Sequence, residues 1–153
     1  MTLILKKSEL AQEFITGGQG SIGLRIPDQQ VALKLLEEFE GLGGLGVAAP
    51  SANRFGQVSP TTAEAVQEEL GNYLSESDLL LDGGSSKVGL ESTIIDCTTD
   101  APRVLRPGAI TFEMIEEFTG KIISKEFSVS NIRVSGSLEN HYAPKAIIIL
   151  DQE

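Results

Sequence analysis

The chain has 153 residues with 41% hydrophobic content, enough for one compact domain and too little for two ordinary ones. Its 22 carboxylates against 12 lysines and arginines give a net charge of −10, which repels phosphodiester backbones and excludes the counterion-release affinity of basic nucleic-acid binders. The single cysteine, Cys97, excludes an internal disulfide or a thiolate cluster and suits a reducing compartment.

No apolar run approaches the roughly 20 residues of a membrane span, the longest aliphatic stretch being Ile147 to Leu150, and Met1 is not followed by a basic-then-apolar leader. The expectation is a soluble, cytoplasmic protein with no stable nucleic-acid partner and no membrane contact.

In chain order, Leu3, Ile4 and Leu5 ahead of two lysines predict a strand over Thr2 to Lys7. Ser21 to Ile26 predicts a second, closed by Pro27. Asp28 is expected to cap a helix whose apolar face is Val31, Leu35, Leu36 and Phe39. Gly41, Gly43, Gly44 and Gly46 end that helix and lead into a short strand, Val47 to Ala49, before Pro50.

Ser59-Pro60-Thr61-Thr62-Ala63-Glu64 predicts another helix start, with either Ser59 or a Thr61/Glu64 capping box at its head. Asp78 to Asp82, with three leucines, predicts a buried strand followed by a turn at Gly83 and Gly84. Thr93 to Cys97 and Arg103 to Leu105 predict two more strands, and Thr111 to Phe118 a short helix. Lys121 to Tyr142 loses periodicity and is expected to connect to a last strand at Ile147 to Leu150. Strands outnumber helices in this reading, which implies an α/β domain with a twisted mixed sheet.

Gly18-Gln19-Gly20-Ser21-Ile22-Gly23 matches the G-x-G-x-x-G spacing of dinucleotide sites, but it runs into a strand and a proline instead of opening a helix, so it is read as a turn. Ser21 and Arg25 can offer a hydroxyl and a guanidinium to an anion. The stretch from Ala49 through Ser51, Asn53, Arg54 and Ser59 to Thr62 gathers hydroxyls, an amide and a guanidinium ahead of a helix N-terminus. That arrangement suits a phosphate or carboxylate. On the residues alone, a turn built by Ser51 and Asn53 with Ser59 as a helix cap is the favoured reading. Glu91 and Ser92 stand at the mouth of a strand, and Ser92 is open to a ligand or to neighbouring backbone. Arg106-Pro107-Gly108 fits a phosphate or an ordinary ion pair. The only histidine, His141, lies beside Tyr142 in the connector.

Taken together, Gly23-Leu24-Arg25-Ile26-Pro27, Ala49-Pro50-Ser51-Ala52-Asn53-Arg54, Ser59-Pro60-Thr61-Thr62, Leu81-Asp82-Gly83-Gly84, Val88-Gly89-Leu90-Glu91-Ser92-Thr93, Val104-Leu105-Arg106-Pro107-Gly108 and His141-Tyr142-Ala143-Pro144 resemble, in order and spacing, the later part of the YrdC family of threonylcarbamoyl-AMP synthases. The likeness runs from about Thr2 to Pro144, and His-Tyr-Ala-Pro resembles the linker of the longer, two-domain subtype. The resemblance implies an enzyme, a nucleotidyltransferase that converts L-threonine, bicarbonate and ATP, with Mg²⁺ through the nucleotide, into threonylcarbamoyl-AMP and pyrophosphate. Other proteins then use that product in tRNA threonylcarbamoyladenosine formation.

By the same resemblance ATP is bound by Ser21, Ser51, Asn53, Ser59, Arg106, His141 and Tyr142, and threonine by Arg25, Ala49 and Ser92. No catalytic residue and no metal ligand is singled out. Residues 1–120 are expected to be the C-terminal portion of a YrdC-like domain, 121–145 a linker and 146–153 the start of a second domain.

The family's Lys-x-Arg motif has no counterpart, and Leu138-Glu139-Asn140 stand where basic residues usually precede the histidine. The isolated chain is therefore expected to be impaired as an enzyme. The alternatives are a non-catalytic RNA-binding or regulatory module of YrdC type, and an interaction fragment that pairs through exposed sheet edges, including with a second copy.

Overall fold

The computed structural model describes residues 1–123 and 132–134. Two compact units divide the chain, Met1–Pro27 with Val88–Ser137, and Asp28–Lys87 with Leu138–Glu153.

All the described strands lie in the first unit: β1 (Thr2–Lys6), β2 (Ser21–Leu24), β3 (Ile94–Asp96) and β4 (Arg103–Arg106). They form one mixed sheet in the order β2-β1-β3-β4. β1 pairs antiparallel with β2 (Leu3 opposite Leu24, Lys6 opposite Ser21) and parallel with β3 (Leu3 opposite Ile95), while β3 pairs antiparallel with β4. This topology brings the C-terminal ends of β2 and β4 to the same edge of the sheet as the N-terminal ends of β1 and β3.

Helix α1 (Glu13–Thr16) links β1 to β2, and helix α4 (Phe112–Thr119) follows β4. Thr111 caps α4 by accepting from the Met114 N–H, and Gly120 ends it at φ 66°, a left-handed conformation that glycine adopts without a Cβ penalty. Ile95, Val104, Ile115 and Ile123 are buried together, with Leu3, Cys97 and Phe112 packed on them. Alternation along β3 puts Ile95 toward α4 and Ile94 and Asp96 on the opposite face.

The second unit holds α2 (Gln30–Gly41), α3 (Ala63–Leu70) and a 3-10 turn, Gly71–Tyr73. Gln29, not Asp28, caps α2. Its Oε1 accepts from the Ala32 N–H at 2.7 Å while its Nε2 donates to the Gly83 carbonyl at 2.9 Å, so one side chain ties the helix start to the turn at Gly83. α3 is capped by Thr62, whose Oγ1 accepts from the Ala65 N–H; neither Ser59 nor Thr61 takes that role.

Several expectations need correction. Residues 47–49 and 78–82 form no strand, and Leu79, Leu80 and Leu81 are exposed, not buried. A strand needs a partner for its backbone N–H and C=O groups, and neither segment finds one among the described residues. The face of α2 is incompletely covered, with Val31, Leu35 and Phe39 all exposed. α1 is an element the sequence pattern does not announce, so described α-helices equal described strands in number. The turn at Gly83 and Gly84 is present, with Gly84 at φ 79° and the Asp82 Oδ1 accepting from its N–H. The last strand expected at Ile147 to Leu150, and most of the connector, lie outside the described residues.

Candidate functional site

Three of the expected site residues meet at one edge of the sheet in the first unit. Arg25 directly follows β2, Ser92 precedes β3, and Arg106 ends β4. The Arg25 Nη1 donates to the Ser92 Oγ at 3.0 Å. Arg106 donates through Nε and Nη2 to the Ser92 carbonyl at 3.0 and 2.7 Å, and its Nη2 also reaches the Ser92 Oγ at 3.3 Å. Its Nη1 pairs with the Glu91 Oε2 at 3.0 Å. Burial lowers the Arg106 pKa from its ordinary value and the like charge of Arg25 adds to that, while the Glu91 carboxylate opposes both.

The chemistry of this cluster is one-sided. A hydroxyl has two acceptor lone pairs and one donor proton. The Ser92 Oγ receives N–H groups from two guanidiniums, and its own proton has no acceptor among the described residues. Arg25 has no carboxylate within ion-pair distance among the described residues, whereas Arg106 pairs with Glu91. The bond to Ser92 occupies one guanidinium N–H of Arg25, and the rest of its donor fork finds no acceptor among the described residues. The unused donors of Arg25 and Ser92 describe a place for an anion, and a carboxylate matches a guanidinium in shape.

Gly108 keeps the cluster together. A Cβ there would strike the backbone of Glu91, Ser92 and Thr93, so the turn after β4 packs directly on the segment that carries Ser92. Thr93 adds a hydrogen bond from its Oγ1 to the Ile110 carbonyl at 2.7 Å. Ser21 belongs elsewhere, because it pairs with Lys6 at the other end of β2, about 13 Å along the strand from Arg25.

In the second unit the loop before α3 makes its own network. The Ser59 Oγ donates to the Asn53 Oδ1 at 3.0 Å, and the Asn53 Nδ2 donates to the carbonyls of Arg54 and Gln57 at 2.9 and 3.1 Å. Asn53 thus builds a turn, and Ser59 braces it. Ser51 is exposed two residues earlier, with no hydrogen bond to another described residue, and Ala49 is exposed on irregular chain.

Arg54 forms a forked pair with Glu69 on α3, Nε to Oε1 at 2.8 Å and Nη2 to Oε2 at 3.3 Å, with its guanidinium carbon 6.0 Å from the centre of the Tyr73 ring. Glu69, then Tyr73, raise the Arg54 pKa further above its ordinary value, and the Arg54 hydrogen bonds hold Glu69 below the usual carboxylate range. The sequence pattern does not pick out Glu69, and nothing short of a fold would pair residues fifteen apart across a loop and a helix. His141 and Tyr142 lie outside the described residues.

The Sua5/YciO/YrdC family model, whose description is telomere recombination, matches residues 1–108. The chain belongs to the Sua5/YciO/YrdC family. Among its curated relatives, the threonylcarbamoyl-AMP synthase of Pyrococcus abyssi is 39% identical over 98% of this chain and 43% of its own length. That of Bacillus subtilis is 40% identical over 95% of this chain and 41% of its own. The chain therefore spans about two-fifths of the length of these relatives.

Among solved structures, P. abyssi Sua5 complexed with L-threonine is 42% identical with a TM-score of 0.69, covering 80% of this chain and 34% of that one. A doubly substituted form of the same Sua5 gives 0.70 at the same identity. The α/β mixed sheet expected from the sequence is thus the fold of the Sua5/YciO/YrdC family.

Among the described residues no helix is long and apolar enough to cross a membrane. Among the described residues no group of three or more metal-ligating side chains could hold a metal ion.

Proposed function

We propose that this chain takes part in making threonylcarbamoyl-AMP from L-threonine, bicarbonate and ATP, with release of pyrophosphate, for tRNA threonylcarbamoyladenosine formation. The observation that carries the reading is the cluster of Arg25, Ser92 and Arg106, in which the remaining N–H groups of Arg25 and the Ser92 hydroxyl proton find no acceptor among the described residues and can meet a carboxylate. Relatives named for this synthase activity and a Sua5 complexed with L-threonine support it.

In this reading Arg25 holds the threonine carboxylate and Ser92 donates to it, while Arg106 orients Ser92 through its carbonyl and hydroxyl. In the second unit the loop of Ser51, Asn53 and Ser59 contacts ATP. Fixing a carbamate against the α-phosphorus of ATP converts a bimolecular encounter into a positioned attack, and cationic and N–H donors offset the charge that builds on phosphate. Mg²⁺ arrives on the nucleotide's phosphates. His141 and Tyr142 belong to a linker, residues 121–145. The work is done in the cytoplasm.

The test is calorimetric titration of the chain with L-threonine. Arg25→Ala is expected to weaken binding about tenfold or more, as loss of a charge-assisted hydrogen-bond pair does, with Arg25→Lys intermediate. Equal affinity in all three proteins would reject the assignment of Arg25.

A further inference from the structure

We propose that Glu69 is a positioning residue that sets the geometry of the Ser51-x-Asn53 loop, an inference that rests on the nucleotide reading of that loop. Glu69 sits on α3, and its Oε1 accepts from both the backbone N–H of Arg54 at 3.2 Å and the Arg54 Nε at 2.8 Å, while Oε2 takes Nη2 at 3.3 Å. One carboxylate therefore grips the main chain and the side chain of the same residue. The carbonyl of Arg54 in turn accepts from the Asn53 Nδ2 at 2.9 Å and from the Gln57 N–H at 3.0 Å. Asn53 then receives the Ser59 hydroxyl. The contacts run without a gap from Glu69 through Arg54 and Asn53 to Ser59, and every link lies within the second unit.

The arrangement has a physical logic. The loop from residue 51 to 58 contains no helix or strand and no buried side chain, so apolar packing does not fix its shape. Gly56 at φ 78° allows the tight reversal between Arg54 and Gln57 but does not by itself select it. A forked guanidinium–carboxylate pair is directional, and anchoring it on a helix gives the loop a rigid reference. The Arg54 guanidinium also lies over the Tyr73 ring, 6.0 Å from its centre, within cation–π range. Glu69 touches no proposed ligand group itself; it acts by holding Arg54, and through it the amide of Asn53 and the hydroxyl of Ser59.

The experiment measures amide hydrogen exchange and Mg-ATP affinity in the full chain for wild type, Glu69→Ala and Glu69→Gln. In Glu69→Ala the amides of Arg54 and Gln57 are expected to exchange about tenfold faster, with exchange in α2 and the urea midpoint unchanged, and Mg-ATP to bind about tenfold more weakly. Glu69→Gln keeps an acceptor of the same shape and is expected to restore part of both losses. Unchanged exchange at Arg54 and Gln57 in Glu69→Ala, or faster exchange spread equally over α2, would overturn the positioning role. Faster exchange with unaltered Mg-ATP affinity would overturn its link to the nucleotide. A wild-type chain with no affinity for Mg-ATP would reject the nucleotide reading itself, and the exchange arm would still decide whether Glu69 holds the loop.

Discussion

Gly108 stands where the turn after β4 meets the backbone of Glu91 to Thr93, and any side chain there has main chain for a neighbour, not a flexible tip that can move aside. Gly108→Ala should therefore push the Ser92 segment away from Arg106, at a cost of about 1–3 kcal/mol typical of overpacking, readable as a lower urea midpoint. L-Threonine affinity should fall with it, because the two Arg106 bonds to the Ser92 carbonyl and the single bond to its hydroxyl would lengthen together. At this scale the sequence was informative about chemistry and silent about pairing. Arg25, Ser92 and Arg106 could each be named as candidates, since guanidiniums and hydroxyls at strand ends are limited in what they do. That Arg25 meets Ser92 across 67 positions depends on a sheet edge that no local pattern encodes.

At the scale of elements, β3 and β4 are joined by a turn that one buried carboxylate organises. Asp96 is 1% exposed; its Oδ1 accepts from the N–H and hydroxyl of Thr98 at 3.0 and 2.6 Å, and its Oδ2 from the Arg103 Nε and Nη2, each at 3.0 Å. Burial pushes its pKa up, but the Thr98 and Arg103 hydrogen bonds outweigh that and hold it below the ordinary carboxylate value. A depressed folded-state pKa means that the unfolded chain binds the proton more readily. The stabilisation is thus complete above the unfolded value near 3.8 and is lost as pH falls through the folded value. Asp96→Ala should cost about 1–3 kcal/mol near neutral pH by removing the acceptor of the Thr98 N–H and hydroxyl and of the Arg103 guanidinium. The gap between wild type and variant should narrow below about pH 4, checked by urea unfolding across pH.

Elements were legible where local pattern and tertiary pairing agree, as in β1, β3 and α4, although Thr111, read as the first residue of that helix, is its cap. They were misread where a β-like run finds no ladder partner, as at Leu79 to Leu81, and where a long side chain reaches farther than a short one, as Gln29 displaces Asp28 as the cap of α2.

Over the whole molecule, the apolar side chains that are buried among the described residues, Ile4, Ile94, Ile95, Val104, Ile115 and Ile123, all belong to the first unit, the one that also carries Arg25, Ser92 and Arg106. The anion cluster is therefore mounted on the best-packed part of the chain, with Arg106 in β4 and Arg25 and Ser92 on the segments that flank β2 and β3. A net charge of −10 surrounds it, so the cluster is a local exception to the charge of the molecule and discriminates by shape and donors more than by long-range attraction. The account turns on that cluster receiving a threonine carboxylate. Titration of isotopically labelled chain with L-threonine, followed by nuclear magnetic resonance, reads it directly. Saturable shifts at the Arg25 guanidinium and at the amides of Ser92 and Thr93 are predicted; a chain whose Arg25 and Ser92 signals stay still at saturating threonine would contradict it.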